Sequence, residues 1–263
     1  MDLGLAGDTA LVAASSSGLG RATATAFAEE GADVVINGRD ADRLESTAEE
    51  LRAVADGRVY PVAADLTDPA AVEALVEETV DAFGGLDHLV TNAGGPPGGP
   101  FLSTTAEDWQ ATYELLVQSA VGLCRAASDP LQADGGGTIG AITSKSVAEA
   151  SEELVLSNAV RLAVVGLAKT LSREWAPDVR ANVIMPGSHS TGRIEDLVEQ
   201  AIERGNFDSM EEGFDYWAED IPIGRLGDPT RFGQVVTFLA SEPASFVNGA
   251  ALMVDGGAAR SIL

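Results

Sequence analysis

Apolar and polar positions along this chain follow two alternating periods. Thr9–Ala14 (TALVAA), Asp33–Asn37 (DVVIN), Arg58–Ala63, Leu86–Val90, Thr138–Thr143, Val179–Met185 and Ala250–Val254 are short apolar runs that predict buried strands. Helical patterns fill the intervals. The first runs from a small-residue turn after Ala14 to about Glu30. Next come Ala41–Ala55, with Leu44, Leu51 and Val54 on one side, and Pro69–Phe83, with Val72, Leu75, Val76 and Val80 at helical spacing. Thr105–Ser128, Leu154–Trp175 and Pro229–Ala240 complete the set. No long linker or internal repeat interrupts the alternation. It therefore predicts one α/β domain over residues 1–263: a Rossmann-type, doubly wound parallel sheet of about seven strands, with helices on both faces. Ser188–Pro222, rich in Asp and Glu and holding two short helical stretches, follows the sixth strand. Ligands bind at the carboxyl ends of the strands in such sheets, so this insertion is expected to be a substrate lid.

Charge narrows the partners. The 263 residues carry a formal charge of −25, which repels nucleic-acid backbones and anionic lipid. Hydrophobic residues make up 45%, too many for a disordered acidic chain. Lys145 and Lys169 are the only lysines; the other basic residues are arginines. Such a surface suits concentrated salt, where the Debye length falls to about 3 Å, and a halophilic source is expected. Cys124 stands alone, which excludes an internal disulfide, and two distant histidines make no metal site. The start of the chain lacks a signal-peptide pattern, and no uninterrupted apolar run reaches membrane-spanning length, so a cytoplasmic protein is expected.

The turn Ala14-Ser15-Ser16-Ser17-Gly18-Leu19-Gly20 lies between the first strand and first helix. Glycines there allow close backbone approach, and a helix N-terminus offers N–H groups to a pyrophosphate. Asn92-Ala93-Gly94 follows strand four, and Pro186-Gly187 with Thr191 follows strand six. With Asp65 after strand three and the tail from Ile221 to Gly257, these segments resemble the short-chain dehydrogenase/reductase family, over residues 5–257. Ala14 departs from it, standing where the family has the first glycine of T-G-x-x-x-G-x-G. The resemblance implies a nicotinamide cofactor held by Ser15, Ser17, Gly18, Leu19, Gly20, Arg39, Asp65, Leu66, Asn92, Ala93, Gly94, Pro186, Gly187 and Thr191. NAD-users of the family carry an acidic residue at the end of strand two. This chain has Gly38 followed by Arg39, whose guanidinium can fork onto a 2′-phosphate, so NADP is favoured with NAD possible. Arg39 could instead pair with Asp40 or Asp42.

The resemblance also implies an Asn-Ser-Tyr-Lys set that protonates a carbonyl oxygen as hydride arrives. Ser144 falls on the serine. Ser157 and Arg161 fall on the Tyr and Lys, and Leu116 on the Asn. An aliphatic hydroxyl is a far weaker acid than a phenol, and a guanidinium keeps its charge at any working pH. The usual relay is therefore not encoded. His189, Tyr216 or Lys145 could supply a proton instead. The implied activity is carbonyl/alcohol interconversion of the 3-oxoacyl-[acyl-carrier-protein] reductase type, with Ser144, Ser157 and Arg161 as the catalytic set. The alternative is a non-catalytic NADP(H)-binding sensor or partner subunit. The resemblance implies a homotetramer built on the long helices and last strand, with apolar surface from Leu115, Leu116, Val117 and Val121.

Overall fold

The computed structural model describes residues 1–133 and 135–261. Seven strands form one sheet in the order β3-β2-β1-β4-β5-β6-β7. They are β1 (Thr9–Val12), β2 (Asp33–Gly38), β3 (Val59–Ala63), β4 (His88–Thr91), β5 (Gly137–Ile142), β6 (Val179–Pro186) and β7 (Ala251–Val254), and all six pairings are parallel. Each central strand is buried on both faces, yet its side chains still alternate. Ala10, Val12, Val34 and Ile36 enter one core with Phe27, Leu44 and Phe232; Leu11, Ala13 and Val35 enter the other with Val72, Leu75 and Leu123.

Helices α1 (Gly18–Glu29), α2 (Ala41–Arg52) and α3 (Pro69–Phe83) link the first four strands. Asp40 and Asp68 cap α2 and α3 by accepting from Arg43 N and Ala70 N. Left-handed Gly84 stops α3. The expected single helix over Thr105–Ser128 is divided. Thr105 and Asp108 form a capping box that starts α4 (Ala106–Tyr113); a π-turn spans Glu114–Gln118; α5 (Ser119–Ala126) and the short α6 (Ser128–Leu131) follow. A π-turn inserts one residue without changing composition, so periodicity does not reveal it. Within it, Leu116 (4% exposed) and Val117 (6%) pack into their own core with Ala141, Val164 and Val183. They cannot supply the apolar outer surface expected of them.

Helix α7 (Val155–Glu174) is long and apolar enough to cross a membrane, but its inner face, with Leu156, Val164, Ala168 and Leu171, is core against β6. After β6 come α8 (Gly192–Glu203) and α9 (Met210–Ala218), the two helices expected in the insertion. Helix α10 (Pro229–Ala240), capped by Asp228, packs against α1. The half-buried guanidinium of Arg180 closes its far end, donating to the carbonyls of Leu239, Ala240, Ser241 and Val247. At the amino end of the sheet, buried His88 bonds Asp8 (3.0 Å) and Thr138 (2.9 Å), tying β4 to β5 and to the residue before β1.

Candidate active site

The first turn is shaped for close approach by a ligand. Ala14 takes a left-handed conformation (φ 47°), which costs an L-residue about 1–2 kcal/mol and which a glycine would adopt freely. Gly18 is also left-handed (φ 57°). A Cβ at Gly20 would sit 2.4 Å from the Ala14 carbonyl oxygen and 2.8 Å from Asn92 Nδ2, so only glycine fits. Asn92 holds the turn from the far side, donating to the carbonyls of Ala13 (3.3 Å) and Ala14 (3.2 Å). Side chains cap α2, α3, α4, α9 and α10, but Ser17 makes no capping bond to α1 and its first turn holds no acid. That end offers its N–H groups and positive dipole to an anion. Glycine cradle and open helix end together fit a dinucleotide pyrophosphate.

Ser15 plays a different part from its neighbours. Its hydroxyl is fully buried, donating to Val12 O (2.6 Å) and accepting from Asn37 N (2.9 Å). It braces the turn, leaving only Ser17 with an exposed side chain at the tip. Asn37, which pattern reading passed over, is the hub. Buried at the end of β2, it accepts from Ala14 N and donates to the carbonyls of Val62 and Ala64, joining the turn to β2 and β3. Its position in an apolar strand, just before the glycine, was the available signal.

At the neighbouring strand end Gly38 is closely packed: a Cβ there would lie 3.0 Å from Ser16 Cβ and Oγ, so a side chain would require Ser16 to shift. Arg39 is exposed and makes no ion pair with Asp40 or Asp42 among the described residues. Asp65 accepts from the backbone and hydroxyl of Thr67, and these bonds hold its carboxyl below the usual range, with a smaller contribution from Arg39. Leu66 turns into the core, so its side chain faces away from any ligand. Thr191 reaches the turn, with its Cγ2 3.9 Å from where a Gly18 Cβ would be. Pro186 is buried; Gly187 lies against Asp255, where a Cβ would come within 2.6 Å of the Asp255 Cβ.

The positions predicted from the sequence to be catalytic are linked by hydrogen bonds and helix geometry. Ser144 caps a 3₁₀ turn (Lys145–Val147) through Ser146 N (3.2 Å). Ser157, on the first turns of α7, shares a hydrogen bond of 3.1 Å with Ser146 Oγ. One turn further along, Arg161 donates to Gly94 O (3.5 Å), linking α7 to the loop after β4. Ser146 is a second residue the sequence reading missed. Leu116, at the family's Asn position, presents hydrocarbon. Asn158 is committed to Ser151, donating to its carbonyl and accepting from its N–H.

The three substitute proton donors fare differently. His189 is buried, hydrogen-bonded to Gly187 O (3.1 Å), edge-on to Phe232 (5.1 Å) and pressed on by Gly227. Burial pushes its pKa below 6.5, against the opposing pull of Gly187 O, Asp228 and Asp255. It is sealed into the fold as a neutral ring. Tyr216 is 62% exposed and packs on Phe207, outside the hydroxyl cluster. Lys145 opens the 3₁₀ turn that follows Ser144.

Comparisons with known proteins agree with this geometry. Residues 13–259 match the family described as Enoyl-(Acyl carrier protein) reductase. An uncharacterized oxidoreductase, MT0954 of Mycobacterium tuberculosis, is 34% identical, over 94% of this chain and 90% of its own length. The 3-oxoacyl-[acyl-carrier-protein] reductase FabG of Thermotoga maritima is 29% identical, over 96% and 98%. L-sorbose reductase of Gluconobacter frateurii, solved with NADPH and L-sorbose, superposes with a TM-score of 0.95 at 35% identity, over the whole of both chains. The glycine cradle, the Asn92 brace and the parallel sheet beneath them thus have one origin: the chain belongs to the short-chain dehydrogenase/reductase family.

Proposed function

We propose that this protein is an NADP(H)-preferring oxidoreductase that interconverts a carbonyl and an alcohol, of the 3-oxoacyl-reductase-like type. The observation that carries this reading is the convergence of Ser144, Ser157 and Arg161 beside a glycine turn fitted to a dinucleotide. Preference for NADP rests on Gly38, where a carboxylate would press on Ser16, and on the exposed guanidinium of Arg39. The NADPH bound to L-sorbose reductase supports the same choice.

When bound, the nicotinamide cofactor supplies hydride. The open end of α1 receives the pyrophosphate, with Gly18, Gly20 and Thr191 around it; Asp65, Asn92, Ala93, Gly94, Pro186 and Gly187 frame the rest. Ser144 and Ser157 donate to the carbonyl oxygen. Arg161 holds the ribose side and stabilises negative charge growing on that oxygen, but a guanidinium does not hand over a proton. Water entering with the substrate is the proton source. Helices α8 and α9 act as the lid. The chain works as a homotetramer built on the long helices and the last strand, a reading supported by the exposed residues Ala251 and Leu252 of β7.

Two observations favour a second reading, a non-catalytic NADP(H) sensor or partner subunit: Leu116 fills the relay position and His189 is buried. Nicotinamide fluorescence in about 2–4 M KCl, where the Debye length is about 2 Å, tests binding. Turnover of ketones and 3-oxoacyl thioesters tests chemistry. Binding with turnover is expected; binding without turnover favours the sensor, and no binding sinks both. Activity confined to the Ser157→Tyr/Arg161→Lys double variant would also count against the natural chain as a reductase.

A further inference from the structure

Ser146 lies outside the family's four catalytic positions, yet it touches two of the groups that stand there. Its backbone N–H donates to Ser144 Oγ (3.2 Å), and its hydroxyl lies 3.1 Å from Ser157 Oγ. It is 3% exposed and Ser157 is 7%, so water does not compete freely for the pair. Ser157 is the only side chain bonded to the Ser146 hydroxyl among the described residues. The turn that presents it is closed by Val147 N to Ser144 O (3.2 Å) and Ala148 N to Lys145 O (3.0 Å), so Ser146 sits on a fixed support.

A serine hydroxyl has one proton to give and two lone pairs to receive. With the Ser146 N–H on Ser144 Oγ, one acceptor site of Ser144 is occupied and its proton is directed elsewhere. When the Ser146 hydroxyl donates to Ser157 Oγ, the same happens to Ser157. One residue thereby turns two hydroxyls into donors aimed away from itself. A site without a phenol needs this, because two aligned weak donors can stabilise a developing oxyanion that neither protonates. A phenol at position 157 would reach its target without such support. The short Ser157 side chain does not orient itself.

We propose that Ser146 is a positioning residue that sets Ser144 and Ser157 as a two-donor cradle for the substrate's carbonyl oxygen; this rests on the oxidoreductase reading above. Ser146→Ala keeps the N–H and deletes the hydroxyl. Crystals of the NADPH complexes should show Ser157 in one rotamer in the parent and in several in Ser146→Ala. In turnover, Ser146→Ala should lower kcat about five- to tenfold, the loss of one hydrogen bond, while NADPH affinity by fluorescence stays within about twofold. Ser146→Thr, which restores a hydroxyl, should recover most of the rate. In a Ser157→Ala background the Ser146→Ala change should cost nothing more, because the coupled partner is gone. An unmoved Ser157 in Ser146→Ala crystals overturns the proposal whether or not the parent turns over, and so does an equal kcat loss in both backgrounds. A parent that turns over no compound overturns the functional reading instead, while the rotamer comparison still decides the role of Ser146.

Discussion

Burial sets the charge state of His189. The ring is enclosed by Phe232 and Gly227, so folding favours its neutral form and its folded pKa lies below 6.5. The unfolded chain takes up a proton near pH 6.5, the folded one only at lower pH. Stability from this residue is therefore complete above about pH 6.5 and is lost as pH falls through that window toward the folded value. His189→Gln should be about 1–3 kcal/mol less stable at pH 8, since a packed ring and its bond to Gly187 are disturbed. It should also lack the parent's extra loss of stability as pH falls below about 6.5. Denaturant midpoints across that range measure both; parallel pH slopes would refute the assignment. Surface carboxylates titrate alike in the two proteins and cancel. Sequence reading offered His189 as a possible proton donor; the structure turns its ring into the fold against Phe232. Nothing local to Gly187-Ser188-His189 announces that Phe232 and Gly227, some forty residues on, will close over the ring.

Among the elements, the insertion after β6 shows how far pattern reaches. Two helices were legible there from apolar spacing, but the contact that joins them was not. A Cβ at Gly213 would lie 2.2 Å from Val198 Cγ1, so α9 seats a glycine directly on a buried valine of α8. Gly213→Leu should force the helices apart. Because the pair follows the sheet and does not build it, global stability should fall by less than about 2 kcal/mol. The Michaelis constant for the carbonyl substrate should rise about tenfold, and limited proteolysis should cut first within 192–220. Unchanged substrate affinity in a folded Gly213→Leu protein would remove α8 and α9 from the role of lid. The split of the predicted helix into α4 and α5 makes the same point. Composition is continuous through Tyr113–Ser119; only packing of Leu116 and Val117 against β5, β6 and α7 reveals the π-turn.

For the whole molecule, the charge of −25 governs solvent dependence. Carboxylates outnumber the surface ion pairs found among the described residues, Arg21–Glu50, Arg52–Glu45 and Arg58–Asp33, so self-repulsion opposes the compact state. Raising KCl from about 0.1 to 3 M shortens the Debye length from about 10 to 2 Å. The melting midpoint should climb by about 10 °C, corresponding to a few kcal/mol in a chain of this size. Scanning calorimetry against KCl measures it, with a variant carrying five surface Glu→Gln changes as control. If the variant gains as much as the parent, charge screening is not the cause. In the proposed cofactor site, backbone N–H groups of α1 and the guanidiniums of Arg39 and Arg161 would form a local exception to this field.

By itself the sequence determined the alternation of strands and helices, the parallel sheet and the glycine turn after the first strand. Each depends on neighbours within a few residues, or on a periodicity that a linear chain displays. Tertiary structure alone decided that Ser15 and Asn37 brace the turn, that Ser146 meets Ser157, that Leu116 and Val117 are core, and that His189 faces inward. Those outcomes depend on which side chains the close-packed sheet and helices bring into contact across ten to forty or more residues of chain. Hydrogen-bond direction and burial are settled only once that packing exists.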